Sequence, residues 1–323
     1  MENNKKQKKR INKKRIFIAL LIVVFVVGIF FAYKKIISSN TKTMTREEIE
    51  DNSYNKSKIM RVDLTDIKSI KVNLETCDIK IEKSNTNPYI EYTNLYKDES
   101  DNAYEIVANV EDGNLDIKTK VSGDKLNMKN KIQVLKIFIP EKGDIDSFEG
   151  TVEKGDLKIN DLSTGNIDLN VKSGNIKVKN SNLKGSLGLV EGNISLENST
   201  IKDSTIENNT GNIKTNNINF DGENNLNSNT GDIIINTEDS LRNYNFEAIL
   251  QVGNLKYGNI AYRNIENGFN SKESKAKKSI FATTKIGDIE FNTKEKIEQK
   301  ANDKVNEDIT SSTEKRGNPL EDE

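Results

Sequence analysis

The chain of 323 residues contains no histidine and no tryptophan, one cysteine and three prolines. Without histidine, the side chain that most often serves as general base, metal ligand and pH switch is missing. Neither a Ser-His-Asp nor a Cys-His device can be assembled. A single cysteine cannot form an internal disulfide framework. Apolar residues make up 34% of the chain and charged residues 31%, leaner than an ordinary globular protein. There is no phosphate-binding glycine loop ending in Lys-Ser/Thr, no EF-hand loop, and no Gly-Gly pair of the calcium-binding nonapeptide kind. We therefore assign no catalytic, cofactor-binding or metal-ligating residue, expect no cofactor, and read the chain as not an enzyme.

Charge is balanced overall but not along the chain. Residues 1–15 hold eight cations (Lys5, Lys6, Lys8, Lys9, Arg10, Lys13, Lys14, Arg15) against Glu2, which leaves 41 basic and 49 acidic residues in the rest. The one long hydrophobic run, IFIALLIVVFVVGIFFAY at 16–33, follows directly and carries no charge and no proline. As a helix, it would rise about 27 Å, close to the roughly 30 Å of a bilayer's hydrocarbon core. Lys34 and Lys35 stop it, and Tyr33 suits the interface. A cleaved signal peptide is the nearest competitor, but the run exceeds the usual apolar length of about 7–15 residues and no Ala-x-Ala-like site follows. Eight flanking cations argue against a buried soluble helix. The expectation is one uncleaved transmembrane helix, with the amino terminus in the cytoplasm and the body extracytoplasmic. The basic block touches anionic membrane lipid and sets this topology; no nucleic acid is expected.

The body is a repeat. The triplet Gly-[Asn/Asp]-[Ile/Leu] recurs at Gly113, Gly155, Gly165, Gly174, Gly192, Gly211, Gly231, Gly253 and Gly287. It usually opens a short segment alternating apolar with polar, as in GNIKVKN, GNISLEN and GDIEFNT. Period two predicts a strand with one buried and one wet face. From Gly174 the spacings to the next four triplets are 18, 19, 20 and 22. A second strand falls in each interval, marked by Leu183, Leu187, Ile201, Ile206, Ile218, Phe220 and Leu226. Ile194 and Leu196 alone cannot make a core, but stacked between Ile176 with Val178 and Ile213 they can. The expected fold is all-β: a β-solenoid of about twenty residues per coil after one amino-terminal helix. Gly155 to Thr293 then makes about seven coils and a rod on the order of 35 Å. An antiparallel sandwich with Gly-Asn hairpins is the alternative; the turn's constant phase and the long spacing argue against it.

The organisation reads as a basic segment 1–15, a transmembrane helix 16–33, a polar tether 34–58, and an amino-terminal β region 59–150 that caps the repeat. A β-repeat body 151–293 follows, interrupted by a surface loop at 263–280, and then a charged tail 294–323 whose composition suits disorder. The loop and the tail read as devices against end-to-end growth.

KIFIPEKGDI, followed by STGNIDL, KSGNIKV, NTGNIKT and NTGDIII, resembles a bacterial family of adhesin candidates. In that domain of unknown function, a segment ending in an Ile-Pro strand precedes Ser/Thr-Gly-Asp/Asn-Ile repeats. The resemblance spans roughly 60–293. It implies a membrane-anchored, extracytoplasmic β-repeat body acting in surface contact or envelope-stress signalling, and it supplies no catalytic residues.

Three readings follow from different classes. The favoured one is a non-enzymatic binding module whose partner is an envelope polymer or protein. The second is a self-assembling solenoid scaffold. The third is a polysaccharide-acting enzyme built on Asp144, Asp146 and Asp156, against which stands their reading as turn and solvent-face residues. Cys77, in the alternating NLETCDIKI, reads as a small buried apolar group, with an intermolecular disulfide as the alternative.

Overall fold

Alternating side chains dictate strands, and the computed structural model is built of them. It describes residues 43–46, 55–97, 103–122, 132–140, 144–263, 265 and 268–293. The basic segment 1–15, the apolar run 16–33 and the tail 294–323 lie outside the described residues. Among the described residues, no helix is long and apolar enough to cross a membrane, and the helical content is one 3-10 turn at Leu241–Asn243.

The amino-terminal strands are β1 (Thr43–Arg46), β2 (Asn55–Asp63), β3 (Ser69–Ser84), β4 (Tyr89–Lys97), β5 (Ala103–Glu111), β6 (Asn114–Ser122) and β7 (Gln133–Pro140). Strands then alternate long and short: β8 (Asp144–Lys154) with β9 (Leu157–Asn160), β10 (Ser163–Ser173) with β11 (Ile176–Lys179), β12 (Asn182–Glu191) with β13 (Ile194–Glu197), and β14 (Thr200–Thr210) with β15 (Ile213–Asn216). Next come β16 (Asn219–Asp221), β17 (Glu223–Thr230) and β18 (Ile233–Thr237). The last are β19 (Tyr244–Val252), β20 (Asn254–Tyr257), β21 (Ile260–Arg263), β22 (Phe269–Ser271), β23 (Lys278–Ile286) and β24 (Ile289–Thr293). The segment read as a polar tether thus contains β1 and the start of β2, which pair antiparallel through Thr43↔Val62 to Arg46↔Ile59.

Long strands stack on long strands and short on short, all parallel. β8, β10, β12, β14 and β17 form one ladder, and β9, β11, β13, β15 and β18 another. This is a solenoid and not a sandwich of hairpins. One apolar column runs through nine rungs, Leu135–Ile79–Leu157–Ile176–Ile194–Ile213–Ile233–Ile289–Leu255, and every member is at most 1% exposed. Each such side chain contributes about 1.5–3 kcal/mol of burial that its own coil could not provide alone. The long strands bend once more, at irregularities between Ser163 and Ile167 and between Lys184 and Ser186, so the coil has three sides. The first holds Asn182–Lys184 and Thr200–Lys202, the second Ser186–Glu191 and Thr205–Thr210, and the third the short strands.

Spatial order departs from chain order at both ends. β3 supplies a whole rung, which lies between β6/β7 on one side and β8/β9 on the other. At the far end the spacing of 22 predicts the Gly253 coil directly on the Gly231 coil. Instead β23 pairs with both β17 and β19, and β24 with both β18 and β20. The last rung in sequence is therefore the last but one in space. A ladder reads the motif and not its order, and Ala282 fits between Leu226 and Ala248 as Phe291 fits between Ile235 and Tyr257.

Antiparallel strands cross both end rungs: β5 on β6 and β4 on β7 at one end, β22 on β19 and β21 on β20 at the other. The stretch 263–280, expected as a surface loop, includes β22 and the start of β23. It seats Phe269 against Tyr257 and Tyr262, with ring centroids 5.1 and 5.0 Å apart.

Candidate functional site

The repeat motif assigns one job to each position. Its glycine makes the corner between the second and third sides. A methyl carbon added to Gly192 would lie 1.6 Å from the Gly174 carbonyl oxygen, and one on Gly174 would lie 2.0 Å from that of Gly155. The same contact continues through Gly211, Gly231, Gly287 and Gly253, in that spatial order. The second position explains why Asn and Asp interchange. The Asn175 N–H donates to Asp156 Oδ1 (2.9 Å), Asn193 to Asn175 Oδ1 (3.1 Å), Asn212 to Asn193 Oδ1 (3.0 Å) and Asp232 to Asn212 Oδ1 (2.8 Å). Asp288 on Asp232 and Asn254 on Asp288 complete the chain. Only the shared Oδ1 acceptor matters, so amide and carboxylate serve alike. The third position fills the apolar column.

Two of the nine triplets stand elsewhere. Gly113 turns the β5–β6 hairpin at φ 84°, and Gly165 lies inside β10 without a positive φ. Their fourth residues are Asp116 and Asp168, both in ladder positions on the second side. In the corner column, the fourth position is most often lysine.

That fourth position faces solvent from the centre of the third side. In spatial order the column reads Lys136, Lys80, Lys158, Lys177, Ser195, Lys214, Ile234, Glu290 and Lys256. Lys80 pairs with Glu82 (2.7 Å) and Lys177 with Glu197 (2.9 Å). Lys136, Lys158 and Lys214 are exposed and are in no ion pair with a described residue. At the far end of the column Lys256 pairs with Glu290 (3.4 Å), and on the other sides some opposite charges meet between rungs, as in Lys172–Glu153 (2.7 Å) and Lys202–Asp221 (2.9 Å). The sequence shows these lysines as the residue after each Ile or Leu of the motif. Lys80 and Lys136 stand outside the glycine series, and only the stacking brings them into line.

Small Ser195 opens the column onto a hollow of about 610 Å³, lined among others by Glu197, Lys214, Asn216, Asn236 and Asn292. Asn292 Nδ2 donates to Asn236 Oδ1 (3.1 Å), and across the adjoining corner Asn217 Nδ2 donates to Asn198 Oδ1 (2.9 Å). Asp239 stands beyond that corner, where Lys278 Nζ donates to it at 2.6 Å and Asn243 Nδ2 donates to its other oxygen. Burial pushes the Asp239 carboxyl up, but the Lys278 and Asn243 hydrogen bonds outweigh this and the net direction is down. Burial pulls the Lys278 ammonium down, and Asp239 with Tyr244 carries it above its ordinary value.

The acidic residues considered for catalysis are not brought together. Asp144 and Asp146 lie at the start of β8 and Asp156 just beyond its end, with Asp156 Oδ1 held by the next rung. Among the described residues no group of three His, Cys, Asp or Glu is placed to hold a metal ion. Cys77 is 0% exposed, in register with Gln133, and its Sγ donates to the Asp78 carbonyl (3.4 Å). A thiol buried in this way has no path to a second chain, which corrects the disulfide alternative.

Fold and surface define a class: a parallel β-solenoid with covered ends, cornered by a Gly-Asx ladder and lined on one side by lysine. A family model described as Toastrack DUF4097 matches residues 67–317. The chain belongs to this family, in agreement with the resemblance carried by its Ile-Pro strand and Ser/Thr-Gly-Asx-Ile repeats. No curated protein matches. Among solved structures, a candidate cell adhesion protein from Clostridium sporogenes is 17% identical, with 74% of this chain and 100% of that chain covered and a TM-score of 0.37. A candidate adhesin from Bacteroides fragilis is 15% identical (74% and 97% covered, TM-score 0.43). A candidate lipid binding protein from Parabacteroides distasonis is 16% identical (76% and 98% covered, TM-score 0.26).

Proposed function

We propose that the protein is a non-enzymatic, adhesin-like binding module, held in the cell membrane by residues 16–33 and presenting its solenoid outside the cell to an envelope polymer or protein. The observation that carries this reading is the pair of antiparallel strands laid across the end rungs. The antiparallel strands replace the parallel edges on which another copy's rung would stack in register, so the long flat sides are what the molecule offers. The amino-terminal charge asymmetry supports the outward orientation. The separation of Asp144 and Asp146, at the start of β8, from Asp156, beyond its end, speaks against acid–base hydrolysis.

Protease shaving of intact cells tests the orientation, and electron microscopy of the detergent-solubilised chain tests the assembly. The body should be cut from outside and should image as separate short rods. A body protected until the cells are lysed, or filaments in the micrographs, would defeat the reading.

A further inference from the structure

We propose that the lysine column on the third side is a track for a linear polyanion of the phosphodiester class, laid along the rod axis. This deepens the binding role proposed above and rests on it.

Register is the first argument. Lys136, Lys80, Lys158 and Lys177 occupy four successive rungs, and Lys214 follows after Ser195. At about 4.8 Å per rung, five ammonium groups span roughly 24 Å in a straight line. Like charges directly opposite each other destabilise a sheet. On the second side Lys71 stands between Asp116 and Glu149, and the like-charged neighbours there, Glu149 and Asp168, are acidic; on the first side Lys184 faces Lys202 over two rungs. The third side carries lysine over four successive rungs; Glu91 of β4 stands opposite Lys136 at the end of the column, and among the described residues Lys158 and Lys214 are in no ion pair. Lys80 and Lys177 hold exposed, weak ion pairs with Glu82 and Glu197 that an incoming anion can replace, so a line of stacked cations is a site for an anionic chain that displaces its counterions.

The shape of the positive region selects the ligand. The column is one residue wide, is bordered by Asp78, Asp156, Glu82 and Glu197 and ends against Glu91, and beyond residue 15 the chain is net acidic, 49 against 41. A broad anionic surface such as a bilayer would meet those acids as well as the lysines. A single polymer strand meets only the track. Lysine is a mobile point charge on a flexible stem and tolerates uneven phosphate spacing, whereas arginine would impose a fixed fork. The column itself contains no arginine and no aromatic ring on which bases could stack. The hollow beside Ser195 and Lys214, walled by Asn216, Asn236 and Asn292, has room and hydrogen-bonding groups for a polar substituent on such a polymer.

The experiment uses the full chain in neutral detergent and a fluorescent synthetic glycerol-phosphate decamer, titrated at 50 and 200 mM salt. The variant Lys80→Gln/Lys158→Gln/Lys177→Gln should bind about tenfold or more weakly at the lower salt. Its slope of log K against log salt should be smaller by about 2, since each lost contact on a flexible polyanion removes about 0.7. The matched variant Lys71→Gln/Lys118→Gln/Lys172→Gln removes the same charge from the second side and should stay within about twofold of wild type. The amino-terminal basic block is common to all three chains, so differences report the track. Melting curves confirm folding; if the first variant melts early, Lys158→Glu alone should still cost about threefold. Equal losses in both triple variants, or no loss in the first, would overturn the proposal. So would a first variant that loses binding only to phosphatidylglycerol vesicles, which would make the ligand a lipid surface. These outcomes are independent of protease shaving: an outward body whose track variant binds like wild type sinks the track alone, and an inward body sinks the role beneath it.

Discussion

At position 192 the chain has room for a hydrogen atom and nothing larger. A methyl there would overlap the Gly174 carbonyl oxygen at 1.6 Å, and the backbone sits at φ 135°, where side chains are strained. Gly192→Ala should cost about 3 kcal/mol or more, read as a fall in the urea midpoint. Gly188→Ala, whose added carbon meets the Asn170 side chain at 3.4 Å and beyond, should shift stability by less than about 1 kcal/mol. Similar shifts in the two variants would contradict the corner geometry. Cys77 offers a second residue-scale test. Burial pushes its thiol up from the ordinary 9.0, the Asp78 charge adds to this, and a hydrogen bond with the Leu135 backbone pulls slightly back. The folded state thus holds the thiol proton more tightly than the unfolded state does. Its contribution is intact below the ordinary value and declines as pH rises above it. Between pH 8 and 10.5 the wild-type urea midpoint should fall further than that of Cys77→Ala, and a thiol reagent should label the native chain only after denaturant is added. Immediate labelling would show the cysteine to be accessible.

Among the elements, β23 and β24 are each wedged between two strands that precede them in sequence. Lys278 at the start of β23 donates to Asp239 (2.6 Å) and Asn219 (2.8 Å), and so ties it to segments on either side. Lys278→Ala should cost about 1–3 kcal/mol and should raise amide exchange in β23 and β24 before it does so in β12. Uniform exchange across the rod would refute that ordering. The Asp239 carboxyl, held below its ordinary value, contributes stability that is present above the unfolded carboxylate range and is lost as pH falls through the folded one. The acid sensitivity of wild type should therefore shrink in Lys278→Ala. The wedge also marks where sequence reading runs out. Period two, the Gly-Asx corner and the apolar third position were legible from Gly155 onward, because each leaves a local mark. Rung order was not, because GDIEFNT and GNLKYGN meet the same pairing rules in either place. Gly113 and Gly165 carry the same triplet as the corner glycines, and only their surroundings make one a hairpin and the other a strand residue. The lysine track was half legible: Lys158, Lys177 and Lys214 recur in phase, whereas Lys80 and Lys136 join them only through folding.

For the molecule as a whole, nine rungs at about 4.8 Å put roughly 38 Å between the first and last, and seven of them lie from β8 onward, as the glycine spacing implies. Such stacks gain stability from neighbours, so damage in the middle should propagate while damage at an end stays local. Ile194→Ala, in a fully buried column, should cost about 2–5 kcal/mol and destabilise rungs on both sides. Phe269→Asp, in the covering strand β22, should instead promote end-to-end association, visible as concentration-dependent sedimentation; a variant that stays monomeric would show the covering to be dispensable. The wedged rung has a further consequence for biogenesis. A chain that stops between Tyr257 and Lys278 leaves β17 and β18 on one side and β19 and β20 on the other without the rung that joins them. Completion of the rod therefore waits for the last strands synthesised, and truncation in that interval should show as lost resistance to limited proteolysis.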